Sequence, residues 1–117
     1  MSNFKKEHDF ERRTKESSNI LEKYPDRVPV IVERAECSKN LTIIDKRKFL
    51  VPKELKMSQL LWVVRKRMSI TRNQAIYLLS NSGRFFPGTE QISTIYENDK
   101  DADGFLYIKY ANENTFG

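Results

Sequence analysis

Between Phe10 and Tyr24 the residues Phe10, Arg13, Ser17, Ile20, Leu21 and Tyr24 recur at helical spacing, with Glu and Lys filling the other positions. The pattern predicts an amphipathic helix, stopped by Pro25. The nine residues before Phe10 are polar apart from Phe4 and read as a loose helical arm with that aromatic exposed. Arg27 to Glu33 (RVPVIVE) is rich in β-branched residues and predicts a strand, with Val28, Val30 and Val32 on one face and Pro29 and Ile31 on the other. The proline points to an edge position or a bulge. A polar connection from Glu36 to Asn40 leads to a second extended run, Asp45 to Val51, so the two strands form a hairpin.

Lys56 to Met68 carries the clearest helical stripe, Met57, Leu60, Leu61, Val64 and Met68. Arg65, Lys66 and Arg67 close it with positive charge, suited to the negative end of the helix dipole. Ala75 to Ser80 predicts a short buried strand, Thr89 to Tyr96 a short helix capped by Thr89, and Gly104 to Tyr110 a final strand. The last seven residues, ANENTFG, read as a loose tail. From Arg27 onward the order ββαβ, short helix, β fits an α+β fold, the ubiquitin-like β-grasp, preceded by two extra helical segments. A ferredoxin-like sandwich needs a helix between the first two strands, and Glu36 to Asp45 shows no helical period. The expected organisation is a helical arm over 1–26 packed on a domain over 27–110, with a flexible tail over 111–117.

A chain of 117 residues supports one domain with one real core. Mean hydropathy is −0.66, without the composition of a disordered chain. The longest apolar run, Leu60 to Val64, is far too short to span a bilayer, and the N-terminus lacks an apolar signal region; a cytoplasmic protein is expected. The net charge of +5 is unevenly placed: residues 1–26 sum to zero, residues 27–73 to +8 and residues 74–117 to −3. The central segment is therefore a cationic surface suited to nucleic acid, an acidic membrane or an acidic peptide.

Catalytic chemistry is hard to build from this composition. The single histidine, His8, lies in the arm and reads as solvated; the single cysteine, Cys37, lies in a polar connector. There is no glycine-rich phosphate loop or zinc-protease motif, so no catalytic residues, metal ligands or cofactor are expected, and the chain is read as a non-enzyme. Asp99 to Gly104 imitates the opening of a calcium loop, but Tyr110 stands where the loop needs its closing glutamate; an acidic turn before a strand is the better reading. Asn40-Leu41-Thr42 is a glycosylation sequon that a cytoplasmic chain never presents to the transferase.

A terminal glycine alone carries little information, but here it ends a tail that follows a closing strand. Seven extended residues reach about 24 Å, enough to thread an enzyme channel. With no Cβ, a glycine carboxylate fits a narrow site and leaves its carbonyl open to adenylation, thioester transfer and amide formation.

Several segments together are specific. FERR at 10–13, YPDRVPVIVE at 24–33, DKRKFLVP at 45–52, RKR at 65–67, DGFLYIKY at 103–110 and ENTFG at 113–117 resemble the autophagy ubiquitin-like modifiers, the GABARAP-type proteins, along essentially the whole chain. The resemblance implies that Gly117 is joined to phosphatidylethanolamine after ATP-dependent activation and transfer through conjugating-enzyme cysteines, and that a cysteine protease trims and releases it. It places the lipidated form on autophagosomal membranes and the free form in the cytoplasm. It also implies a groove for aromatic-x-x-aliphatic peptides of cargo receptors and adaptors. Carried over, the aromatic pocket comprises Glu16, Ile20, Pro29, Ile31, Lys48, Leu50 and Phe105. The aliphatic pocket comprises Phe49, Val51, Pro52, Leu55, Leu60 and Val63, and Lys46, Lys48 and Arg67 meet the peptide's acids.

The residues themselves leave alternatives open at this point. Leu50, Val51, Leu60 and Val63 serve equally well as core, and the alternation over 46–52 does not separate the two roles. A nucleic-acid module drawing on the +8 segment competes on charge, but it lacks interleaved exposed aromatics, so nucleic acid is not the expected partner. A non-conjugated trafficking adaptor would keep the groove and dispense with the lipid.

Overall fold

The structure, a computed structural model, describes residues 2–70 and 74–112; the segment ENTFG with Gly117 lies outside the described residues. Helices α1 (Asn3–Glu7) and α2 (Phe10–Lys23) precede strands β1 (Arg27–Arg34) and β2 (Lys48–Pro52). Then come α3 (Met57–Met68), β3 (Ile76–Ser80), α4 (Ile92–Asp99) and β4 (Leu106–Asn112). The sheet runs β2-β1-β4-β3, with β1 antiparallel to β2 and parallel to β4, and β3 antiparallel to β4. This is the ubiquitin-like α+β fold expected from the element order.

Both faces of the sheet are covered. Val28, Val30, Val32, Phe49 and Val51 face the main core, where the α3 stripe Met57, Leu60, Val64 and Met68 meets them with Ile92 and Ile95 of α4. On the other face Ile31, Phe105 and Tyr107 pack with Phe4 of α1, and Ile20 of α2 lies against them. The predicted α3 stripe is thus the buried one, with Leu61 partly buried at its margin. Gln59 Oε1 accepts from the Lys56 backbone N–H at 2.9 Å, satisfying one free amide where Lys56 replaces the usual short polar cap.

Several expectations are corrected. Pro29 does not mark an edge: β1 is an inner strand. The Val32 N–H donates to Arg47 O at 2.7 Å, so alternate N–H groups of β1 point to β2 and the Pro29 nitrogen points the other way. The parallel ladder on that side starts at Val30↔Leu106, past the proline, and no ladder bond is lost. Phe4 is not exposed; it is 2% accessible, inserted beside Phe105 with ring centroids 5.2 Å apart. Phe10 is instead the exposed one at 52%, because the buried α2 positions are Arg13 and Ser17. His8 is not solvated but packs on Phe4, centroids 4.9 Å apart.

The second strand starts at Lys48 rather than Asp45. The helix expected from Thr89 begins at Ile92 with Gln91 as N-cap. Residues 88–91 are held against the start of α3 instead, through Ser58 N–H to Gly88 O at 3.0 Å, Met57 N–H to Glu90 O at 2.9 Å and a Lys56–Gln91 bridge. Ala111 and Asn112 belong to β4, paired with Tyr77 and Ile76, not to a tail. Phe86 is buried, and Phe85 is half exposed.

Candidate functional site

Among the described residues strand β2 pairs with β1 alone, which leaves its other edge bare. Arg47, Phe49 and Val51 stand opposite Val32, Val30 and Val28 in the hydrogen-bonding register, which turns the N–H and C=O groups of Lys48 and Leu50 outward. Such an edge is a template for a further strand. The side chains of Lys48, Leu50 and Pro52 are half-buried, whereas Phe49 and Val51 are buried toward α3. The face left undecided by alternation alone is thereby settled.

Beside the bare edge a cleft of about 630 Å³ opens between α2 and β2, lined by Glu16, Asn19, Ile20, Lys23, Tyr24, Arg27, Lys46, Lys48 and Leu50. Its apolar wall is Ile20 and Leu50. Ile31 and Phe105 are fully buried, packed against Ile20. Buried Pro29 stands opposite Leu50. Lys48 forms an ion pair with Glu16, tying strand to helix across the mouth. Arg27 Nη1 donates to Leu50 O at 3.0 Å, so one outward acceptor of the edge is already engaged by the protein. Lys46 lies with its Nζ 5.2 Å from the Phe49 ring centroid and has no carboxylate partner among the described residues. The cleft therefore pairs an apolar wall with a cationic rim.

Of the predicted aromatic-pocket set, Glu16, Ile20, Lys48 and Leu50 line the cleft together with Lys46, whereas Pro29, Ile31 and Phe105 are buried and do not line it. The predicted aliphatic set is distributed differently. Phe49, Val51 and Leu60 are buried in the main core, Leu55 is partly buried against it, Pro52 is half-buried and Val63 is exposed at 36%. Arg67 already holds Asp45, Nε to Oδ1 at 2.9 Å, a surface pair of small worth. Asn19, Lys23, Tyr24 and Arg27 line the cleft without having been anticipated. For Asn19, Lys23 and Tyr24 a signal was present, since 16, 19, 20, 23 and 24 follow the helical period along one side of α2 and its C-cap; Arg27, at the start of β1, carried no such signal.

The acidic turn before β4 serves the fold. Asp103 is fully buried and receives Arg13 Nη1 at 2.8 Å, the Phe105 N–H at 2.9 Å and the Tyr107 hydroxyl at 2.5 Å. Burial, then the adjacent Asp103 carboxylate, pushes the Tyr107 phenol well above its usual range and keeps it a proton donor. Asp101 accepts from Lys5 Nζ at 2.6 Å, and Cys37 is a free exposed thiol.

A mixed four-stranded sheet crossed by one long helix, two helices added at the N-terminus and a strand edge left bare beside a cleft define a ubiquitin-like protein. The family described as "Autophagy protein Atg8 ubiquitin like" matches residues 12–117. The chain is 52% identical to autophagy-related protein 8c of Arabidopsis thaliana, covering 99% of this chain and 96% of that one. It is 46% identical to autophagy-related protein 8 of Mycosarcoma maydis, covering 99% and 97% respectively. The crystal structure of Trypanosoma brucei ATG8 superposes with a TM-score of 0.91 at 38% identity, covering 100% of this chain and 99% of that one. The chain belongs to the Atg8 family of ubiquitin-like autophagy proteins.

Proposed function

We propose that this chain is conjugated through Gly117 to phosphatidylethanolamine and recruits cargo receptors and adaptors through the α2–β2 cleft. The observation that carries the reading is the bare β2 edge beside a cleft with an apolar wall and cationic rim. An extended peptide adds a strand along Lys48 and Leu50, its aromatic side chain enters between Ile20 and Leu50, and its aliphatic side chain three residues further on (aromatic-x-x-aliphatic) rests near Pro52, Leu55 and Val63. Acidic flanks meet Lys46 and Lys48.

In the conjugation step the glycine carbonyl is the reacting centre. An activating enzyme uses ATP to adenylate it, conjugating-enzyme cysteines carry it as a thioester, and the lipid amine takes it as an amide. A cysteine protease trims the precursor and later cleaves the amide. The chain is a substrate and an adaptor in this scheme, needing no cofactor of its own. Two acyl chains supply firm anchoring where one would be marginal. Membership of the Atg8 family and the ENTFG ending support this reading. The protein is then cytoplasmic when free and autophagosomal when lipidated; no described helix is long and apolar enough to cross a membrane.

The test is a Gly117→Ala variant expressed in cells under autophagy induction. The wild-type chain yields a faster-migrating, membrane-associated species that the variant lacks. Persistence of that species in the variant contradicts conjugation at Gly117.

A further inference from the structure

Trp62 stands out on α3. It is 61% exposed on the side turned away from the buried Leu60 and Val64, and Lys66, one turn on, places its Nζ 4.8 Å from the indole centroid. Lys66 has no carboxylate partner among the described residues. The half-exposed Phe85, by contrast, packs edge-on against Tyr77 at 5.7 Å, and its neighbour Arg84 is paired with Asp99. An indole with an adjoining ammonium has the chemistry of the membrane–water interface, where a ring sits among glycerol groups and a cation meets phosphate.

The end of the sheet that carries the C-terminus is also the end that carries the basic turn of α3. Asn112, the last residue of β4, is paired with Ile76 at the start of β3. Arg65 Nη1 donates to Gln74 O at 2.6 Å, two residues before Ile76. Arg67 holds Asp45, which lies just before β2. Five residues separate Asn112 from Gly117, a reach of at most about 18 Å. A bilayer that holds Gly117 therefore lies within about that distance of Asn112, at the end of the sheet that carries the basic turn of α3. The α2–β2 cleft is on the opposite face of the sheet, so contact through α3 leaves it open for peptides.

We propose that the outer face of α3, Trp62 with Lys66, is a membrane-contacting surface that settles on anionic phospholipid once the C-terminus is anchored. This inference rests on the reading of Gly117 as the lipid-linked residue. The indole sits at headgroup level, the lysine pairs with lipid phosphate or carboxylate groups, and the anchored domain adopts one orientation.

Trp62 is the single tryptophan of the chain, so intrinsic emission reports this residue alone. The full chain, extended at its C-terminus by a hexahistidine tag, is captured on nickel-chelating vesicles of phosphatidylcholine and phosphatidylserine with brominated acyl chains. This tether bypasses the conjugating enzymes. Failure of conjugation at Gly117 is read separately, by the Gly117→Ala variant in cells. The expected result is blue-shifted emission quenched by the brominated lipid, weaker when phosphatidylserine is omitted. Lys66→Gln, at an exposed position, lowers the ratio of docked to undocked chain about fivefold. Emission that stays unshifted and unquenched on the tethered vesicles overturns the proposal, as does quenching indifferent to both phosphatidylserine and Lys66→Gln.

Discussion

Arg13 and Asp103, ninety residues apart in the chain, form an ion pair inside the protein, Nη1 to Oδ2 at 2.8 Å, with Asp103 fully buried and Arg13 nearly so. It joins α2 to the turn that starts β4 and so fixes the wall of the cleft relative to the sheet. Ser17 adds a second link, its hydroxyl donating to Asp103 O at 2.5 Å. Removing one partner strands the other charge in a dry site. Asp103→Ala is expected to cost about 3–5 kcal/mol, measured by chemical denaturation. A loss below about 1 kcal/mol, the scale of an exposed pair, contradicts the burial argument.

Gly104 follows in the same turn with φ +91°, and a Cβ there runs into the Ser17 side chain. Gly104→Ala therefore combines left-handed strain with overpacking, together about 2–4 kcal/mol. Gly83 has φ +88° with nothing near its missing Cβ. Gly83→Ala is expected to cost only the strain, about 1–2 kcal/mol. Equal losses in the two variants, read from thermal or denaturant unfolding, contradict the crowding assigned to Ser17.

The helix α1 is held by Glu7, bound by Arg47 through two hydrogen bonds of 2.7 and 2.9 Å, and by Lys5 on Asp101 at 2.6 Å. The Arg47 hydrogen bonds hold the Glu7 carboxyl below its ordinary 4.5. At Asp101 partial burial works upward, but Lys5 outweighs it and holds the carboxyl below 3.8. Lowered carboxylate values mean the stabilisation is full above the ordinary values and is lost as pH falls through the lowered ones. The arm is expected to stay docked at neutral pH and to loosen below about pH 4. Nuclear magnetic resonance of the Phe4 ring, shifted by Phe105, follows this; loosening on raising the pH from 5 to 8 contradicts it.

Much of this architecture is legible in the chain. The stripe from Met57 to Met68 and the β-branched run at Arg27 each announce their element, because one face of each is buried against the same core. Pro29 misleads because the cost of a missing N–H depends on where the neighbouring ladder begins, which is a tertiary fact. Thr89 misleads because hydrogen bonds to α3 hold its segment out of the helix. Phe4 and Phe10 exchange roles because a five-residue helix is too short to show a period, and its burial is decided by Phe105, a hundred residues away. At the site, Glu16, Ile20, Lys48 and Leu50 follow from the resemblance. Arg27 was missed because its role, holding Leu50 O, exists only once β2 is an edge.

Calorimetric titration of an acidic-flanked aromatic-x-x-aliphatic peptide is expected to give about micromolar affinity, two anchors offset by ordering costs. Leu50→Ala should weaken it about tenfold, from loss of about 1.5 kcal/mol of apolar contact in the half-buried wall, and Lys48→Glu should weaken it by charge reversal at the rim. Unchanged affinity in both variants, with the wild-type chain binding, contradicts the assignment of the α2–β2 cleft as the docking site.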